Sequence, residues 1–317
     1  MRKLIFSSIL LGVFCVAVHA QNQTASDNSL LFTLKPLGHN VYAAIDKPKS
    51  NAGSNAGFVI GDDGVLVVDT FEDAKAAEQL LVEIQKLTKL PVKFVINTHY
   101  HLDHVTGNGV FAKEGAVILA QKNVRAWIHT ENLKFFGPTI KPEQKAWIDG
   151  LVAPSVGYSS SVAIYLGSRK VLVRYFLGHT GGDSVVSIPD ADVVFCGDLF
   201  WNHTLPNLID ASTEQWIASD KKLAEESPHG TFVPGHGEVG TAADVTALAG
   251  YIKDLRGALA QPMKDGLQGD ALLNAVVPKL KEKYGDWNYF DHFANRNILD
   301  TAKELRGDKK VPQPCVP

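Results

Sequence analysis

Thr98-His99-Tyr100-His101-Leu102-Asp103-His104 follows directly on the β-branched run Val92-Lys93-Phe94-Val95-Ile96-Asn97. That run has the length and make-up of a mostly buried strand. The polar heptad therefore stands where a loop at a strand's C-terminal end aims several side chains at one point. Four metal-capable side chains, His99, His101, Asp103 and His104, fall within six residues. In an extended stretch, His99, His101 and Asp103 share one face by the period of two, and His104 begins the next turn and addresses a second ion. A histidine-rich surface loop explains any one of these residues but not four at this spacing.

Working outward, Gly57-Phe58-Val59-Ile60 and Val65-Leu66-Val67-Val68-Asp69 flank Gly61-Asp62-Asp63-Gly64, a hairpin signal. Glu72 to Leu87 sets Ala76, Leu80, Leu81, Ile84 and Leu87 at helical spacing, which completes a strand-helix-strand unit with the run at 92–97. Downstream the pattern predicts a strand over 116–120, a helix over 123–136, a loop around 137–160, and strands at 161–166, 170–177, 184–188 and 192–196. A helix at 213–226 and a short strand at 231–233 follow, and everything past about 240 reads as helices, at 241–261, 268–284 and 294–306. Mixed sheets with helices outside, an α/β fold, are implied.

With these residues in view, the chain resembles the metallo-β-lactamase superfamily, whose signature is the H-x-H-x-D-H run. Asp69 at the end of the second β-run, His179 in Leu177-Gly178-His179-Thr180-Gly181-Gly182, Asp198 after Phe195-Cys196-Gly197, and His236 in Val233-Pro234-Gly235-His236-Gly237 complete the pattern in order. The resemblance implies a four-layer αβ/βα sandwich with the metal site at the edge between two sheets. It also implies two zinc ions per chain. His99, His101 and His179 would hold the first, Asp103, His104 and His236 the second, and Asp198 would bridge both. Neutral imidazole and carboxylate are donors that zinc accepts, and three per ion plus a shared group leave room for water, as a catalytic site requires. Asp103 would also serve catalysis by orienting a metal-bridging hydroxide and moving a proton to the leaving group. Asp69 would fix a ligating histidine from behind. Gly178, Gly235 and Gly237 read equally as turn residues or as places where backbone passes close to the site.

The chain divides into a signal peptide at 1–20, a lead-in at 21–35, a catalytic domain at 36–240 and a C-terminal helical extension at 241–317. Arg2 and Lys3 precede an apolar run, Leu4 to Val18, that ends in Val18-His19-Ala20, the form of an export signal cleaved after Ala20. The run is shorter than the ~20 residues a membrane-spanning helix needs. A periplasmic or secreted protein with no membrane span is expected. Of 31 basic residues, Arg2 and Lys3 leave with the signal, so 29 face 34 acidic ones, a balance that attracts no nucleic acid. Cys196 in an apolar strand and Cys315 at the tail make a disulfide unexpected.

Asp198 sorts the function classes. Lactamases with a cysteine ligand carry Cys at that position, whereas the bridging Asp gives a ligand set that resembles glyoxalase II. The expected activity is hydrolysis of a carbonyl-centred bond in a small molecule: an ester, thioester, lactone or β-lactam. The alternatives are a class B-like β-lactamase and a mononuclear iron persulfide dioxygenase. Trp201 and His203, on the loop past Asp198, are candidate substrate walls. His39, His129, His229 and His292 read as ordinary surface or core histidines. The aromatic group Trp287, Tyr289, Phe290 and Phe293 reads as a helix face packed on the sandwich in preference to a cover over the pocket.

Overall fold

A computed structural model describes residues 29–314. The stretch expected to be an export signal, with Cys15, and Cys315 lie outside the described residues. The hairpin forms where its turn residues place it. Strands β3 (Ala56–Ile60) and β4 (Val65–Val68) pair antiparallel with Ile60 opposite Val65, and Gly61 N donates to Gly64 O at 2.9 Å. Helix α1 (Ala74–Leu87), capped by the Asp73 side chain accepting from Lys75 N, returns the chain to β5 (Val92–Ile96), parallel to β4.

With β1 (Phe32–Gly38), β2 (Val41–Asp46), β6 (Val117–Gln121) and β7 (Val156–Tyr158), these make a seven-stranded sheet in simple sequence order. A second sheet runs β12-β11-β10-β9-β8, built from β8 (Ser161–Leu166), β9 (Arg169–Tyr175), β10 (Ser184–Ile188), β11 (Val193–Trp201) and β12 (Thr231–His236). Its β11–β12 pair is parallel and the rest antiparallel.

Alternation along the strands separates three apolar spaces, hence four layers. Leu66 and Val68 of β4 face the other sheet with Val171, Val186 and Phe195. Val65 and Val67 face α1 with Leu80 and Ile84. On the far side, Val194 and Cys196 of β11 pack with Leu223 of α6 (Thr213–Glu226) and Leu248 of α7 (Ala242–Lys264). Helices α8 (Gly269–Tyr284) and α9 (Phe290–Arg306) complete that outer layer. Each such fully buried side chain stabilises the fold by about 1.5–3 kcal/mol. No helix among the described residues is long and apolar enough to cross a membrane.

Several local expectations change. The helix expected over 123–136 stops at Trp127, as α4 (Lys122–Trp127), and resumes as a 3-10 turn over Glu131–Phe136. Asn132 is the reason: its Nδ2 donates to Ile128 O and Tyr100 O at 3.0 and 2.8 Å, so a side chain takes the carbonyl that the next helical turn would use. The loop at 137–160 contains α5 (Pro142–Asp149), opened by Pro142 and by Gln144 accepting from Lys141 N, and β7. Strand β1 opens at Phe32, inside the stretch given to the lead-in, because Phe32 is buried and stacks on Phe71 at 5.3 Å. Strand β11 runs to Trp201, past its expected end at 196.

Candidate metal centre

The exits of β4, β5, β11 and β12 meet at one edge of the sandwich. The heptad after β5 is not extended throughout. His101 is the N-cap of a one-turn helix, α2 (Leu102–Val105), in which His104 N donates to His101 O at 3.0 Å. The period of two therefore holds for His99 and His101 and fails at Asp103. The helical turn carries Asp103 round to the side of His104, against the expectation that it shares a face with the two histidines.

Two donor groups result: His99, His101, His179 and Asp198, and Asp103, His104, His236 and Asp198. Within each, the ligand atoms lie within 4.8 Å of one another. Asp198 divides its oxygens between them. Its Oδ2 is 3.2 Å from His179 Nε2 and 3.7 Å from His99 Nε2, while Oδ1 is 3.1 Å from His104 Nε2 and 3.3 Å from His236 Nε2. Asp103 Oδ2 closes the second group, 3.2 Å from His236 Nε2 and 3.4 Å from His104 Nε2. The first group closes through His101 Nδ1, 3.0 Å from His179 Nε2.

Electrostatics suit a cation. Burial, with neighbouring imidazoles, holds His99 well below the usual histidine range, and burial brings His179 to about 3, so both are neutral donors. Burial works against the Asp198 charge, yet His236, His104, His179 and His99 together hold its carboxyl well below the ordinary value. Among the described residues, His99 Nε2, His104 Nε2, His236 Nε2 and Asp198 Oδ1 are buried without a hydrogen-bond partner. These four converge on two points, and a pair of metal ions there would satisfy them.

Each group is braced from behind by a carboxylate. Asp69 accepts from Thr98 N and Thr98 Oγ1, both at 2.7 Å, and pairs with His104 Nδ1 at 2.8 Å. These bonds hold it at a φ of 58°, a left-handed conformation that a non-glycine residue seldom adopts. Asp210 does the same for His101, with Oδ2 3.2 Å from Nε2. Lys134 Nζ donates to that oxygen and to Tyr100 Oη, and Tyr100 Oη donates to Asp210 in turn. Burial opposes the Asp210 charge, but His101 and Lys134 hold the carboxyl far below its ordinary range. Asp210, Lys134 and Tyr100 escaped the sequence reading.

Close approach explains two glycines. A Cβ on Gly235 would sit 1.9 Å from Asp198 Oδ1, and one on Gly197, whose φ is 51°, would sit 2.3 Å from Thr98 Oγ1. Gly197 also marks a register shift between β11 and β12, the bulge that turns Asp198 toward the edge.

Both groups open on a cavity of about 350 Å³. Trp201 lines it and stacks on His236 at 3.8 Å, in keeping with a wall. His203 does not line it. Its side chain is mostly exposed and borders a neighbouring cleft, and its own φ of 46° is left-handed. The C-terminal aromatics divide. Phe290 is core and Trp287 packs against core, as a helix face would, whereas Tyr289 and Phe293 line the cavity together with His292. The helix face does both jobs because α9 starts at Phe290, four residues earlier than its spacing predicted, beside the site.

Fold and site together define an αβ/βα sandwich with a histidine- and aspartate-lined double donor set at its edge. Residues 51–236 match the family model described as Metallo-beta-lactamase superfamily, and the chain belongs to that superfamily. Among its relatives is the linear primary-alkylsulfatase of Pseudomonas sp. (strain ATCC 19151), 24% identical over 70% of this chain and 51% of that one. Another is the metallo-beta-lactamase type 2 of Bacillus cereus, 28% identical over 56% of this chain and 64% of that one. The chain thus spans about half of the first and under two thirds of the second. A solved metallo-beta-lactamase from Pontibacter korlensis shares the fold, with a TM-score of 0.57 at 22% identity over 69% of this chain and 99% of that one.

Proposed function

We propose that the protein is an exported dinuclear zinc hydrolase that cleaves a carbonyl-centred bond in a small molecule. The observation that carries this reading is the division of Asp198, one oxygen to each donor group at the floor of a cavity. When bound, two zinc ions would supply Lewis acidity and a water acidified toward a pKa of about 7. His99, His101 and His179 would hold one ion, Asp103, His104 and His236 the other, and Asp198 both.

The chain's own residues do the rest. Asp69 and Asp210 fix the tautomers of His104 and His101 by binding the ring nitrogen that faces away from the centre. Asp103 stands charged at the cavity side of the second group, since His104 and His236 outweigh the effect of burial on its carboxyl. With Oδ2 turned to those histidines, Asp103 Oδ1 would take the proton of the attacking water and return it to the leaving group. Trp201 and Phe293 wall the cavity on one side.

Export rests on Arg2, Lys3 and the apolar run to Ala20; mass spectrometry of the mature protein should find Gln21 first. Elemental analysis should find about two zincs per chain, whereas one iron and no zinc would favour a dioxygenase. The reaction is tested with nitrocefin, a glutathione thioester, an acyl-homoserine lactone and bis-p-nitrophenyl phosphate, each with and without chelator. Chelator-sensitive turnover of the phosphodiester alone would sink the carbonyl assignment. A β-lactamase is the second reading, supported by relatives that bear that name, and efficient nitrocefin hydrolysis would promote it.

A further inference from the structure

Beyond its donor atoms the cavity is walled by rings and acids. Phe135 meets His101 edge to face at 5.1 Å on one side. On the other, Phe293 stands at 90° to Trp201 and at 83° to Tyr289, with centroids 6.1 and 5.9 Å apart. Among the described residues that line it there is no Lys or Arg. Lys134, whose neighbour Phe135 lines the wall, has its ammonium engaged by Asp210 and Tyr100. The acids are Asp103, Asp198 and Glu72. Glu72 belongs to neither donor group. Its side chain folds over Gly53, where a Cβ would meet the Glu72 Cβ and Oε2 at 2.7 Å. His292 and Tyr289 are the remaining titratable lining groups, the His292 ring packed on Phe293 at 4.5 Å.

This lining has a consequence for charge. Two divalent ions, with Asp103 and Asp198 as their counter-charges, accommodate the one oxyanion that forms at the reacting carbon. A second anionic group held at the wall, away from the ions, meets neutral groups such as Asn207 but no Lys or Arg, and it confronts the Glu72 carboxylate, so its charge is desolvated without a cationic partner. A flat or branched apolar group meets the faces and edges of Phe135, Tyr289 and Phe293 instead. A volume of about 350 Å³ is small for a ligand site and suits a ring or short alkyl group.

Building on the carbonyl-hydrolase reading, we infer that the site takes uncharged aryl or alkyl acyl compounds, and that Glu72 and the aromatic wall reject substrates whose remote end carries a carboxylate. Glutathione thioesters carry such a group; simple esters and N-acyl lactones do not.

Phenyl acetates that differ only at the ring 4-position, in ethyl, carboxymethyl or trimethylammoniomethyl, test this on the zinc-loaded protein. The carboxymethyl member should have a kcat/KM at least about tenfold below the ethyl member. Glu72→Gln should narrow that gap, and Tyr289→Lys, at a half-exposed position that tolerates a long side chain, should narrow or reverse it. Calorimetry with 4-ethylphenol and 4-hydroxyphenylacetate repeats the comparison without turnover. If no acetate is hydrolysed yet ethylphenol binds more tightly than hydroxyphenylacetate, the carbonyl reading fails and the inference about charge stands. Equal or preferred handling of the carboxylate in turnover or binding overturns it, as does the absence of measurable binding by either phenol.

Discussion

The two donor groups share Asp198 and differ in almost everything else. The first is three buried histidines with one carboxylate, and burial holds His99 and His179 neutral. The second has two carboxylates, and Asp103 leaves 24% of its side chain exposed toward the cavity. Both meet the cavity, the first through His101 and the second through Asp103 and His236. The difference follows from where the chain turns. His99 is still on the way out of β5, inside the sandwich, whereas Asp103 lies one helical step later at its rim. Burial fixes the geometry of the first group and the protonation of His99 and His179, and exposure with extra negative charge makes the second the more adaptable partner.

Four experiments probe that contrast, the largest effect first. Asp198→Ala removes the donor common to both groups and should lower kcat/KM by about a thousandfold or more, with zinc content falling below one per chain by elemental analysis. Retention of two tightly bound zincs would show that the groups do not depend on their bridge. Asp210→Asn and Asp69→Asn act one group at a time, and each should weaken metal binding or activity by about 10- to 100-fold. Chelator titration should then show one weakened and one nearly unchanged ion; identical loss of both would mean that the halves are mechanically one.

Gly235→Ala pushes a methyl into Asp198 Oδ1 and should destabilise by about 1–3 kcal/mol, read as a fall of several degrees in Tm. An unchanged Tm would mean that the loop yields freely.

The smallest effect is a change of sign with pH. Burial alone would lower the His236 pKa, but Asp198 and Asp103 outweigh it and carry it to about 9, above the reference 6.5. In the chelated protein this contributes stability that is full below 6.5 and is lost as pH rises through 9. Metal binding needs the imidazole neutral and releases its proton, so the zinc-loaded protein should gain stability over the same window. Melting curves at pH 6 and pH 9, with and without chelator, should show opposite trends; parallel trends would remove His236 from the ligand set.

Much of this was legible in the sequence, for physical reasons. Strands with two buried faces read as β-branched runs, and the donors cluster because one strand exit delivers four of them. Asp210 was illegible because nothing local marks it. It sits in a loop without periodicity and reaches His101 only through the fold, 109 residues away in sequence. Asn132, which breaks a helix, looks like any polar residue on an amphipathic face. Tyr289, His292 and Phe293 could not be told from packing residues until the start of α9 was known. The position of Asp103 was misread because a period of two was carried one residue too far, into a helical turn.

The bridge on β11 also sets an order of events. The segment from Asp69 to His104 comes off the ribosome with four donors in place, but the groups that complete the two spheres lie at 179, 198 and 236, and the brace for His101 at 210. A nascent chain ending before β12 therefore offers an ion only a loose, incomplete grip. Tight loading would report that both sheets have formed and docked, so ions bound there would act as late witnesses to assembly and fasten the open edge of a sandwich already built.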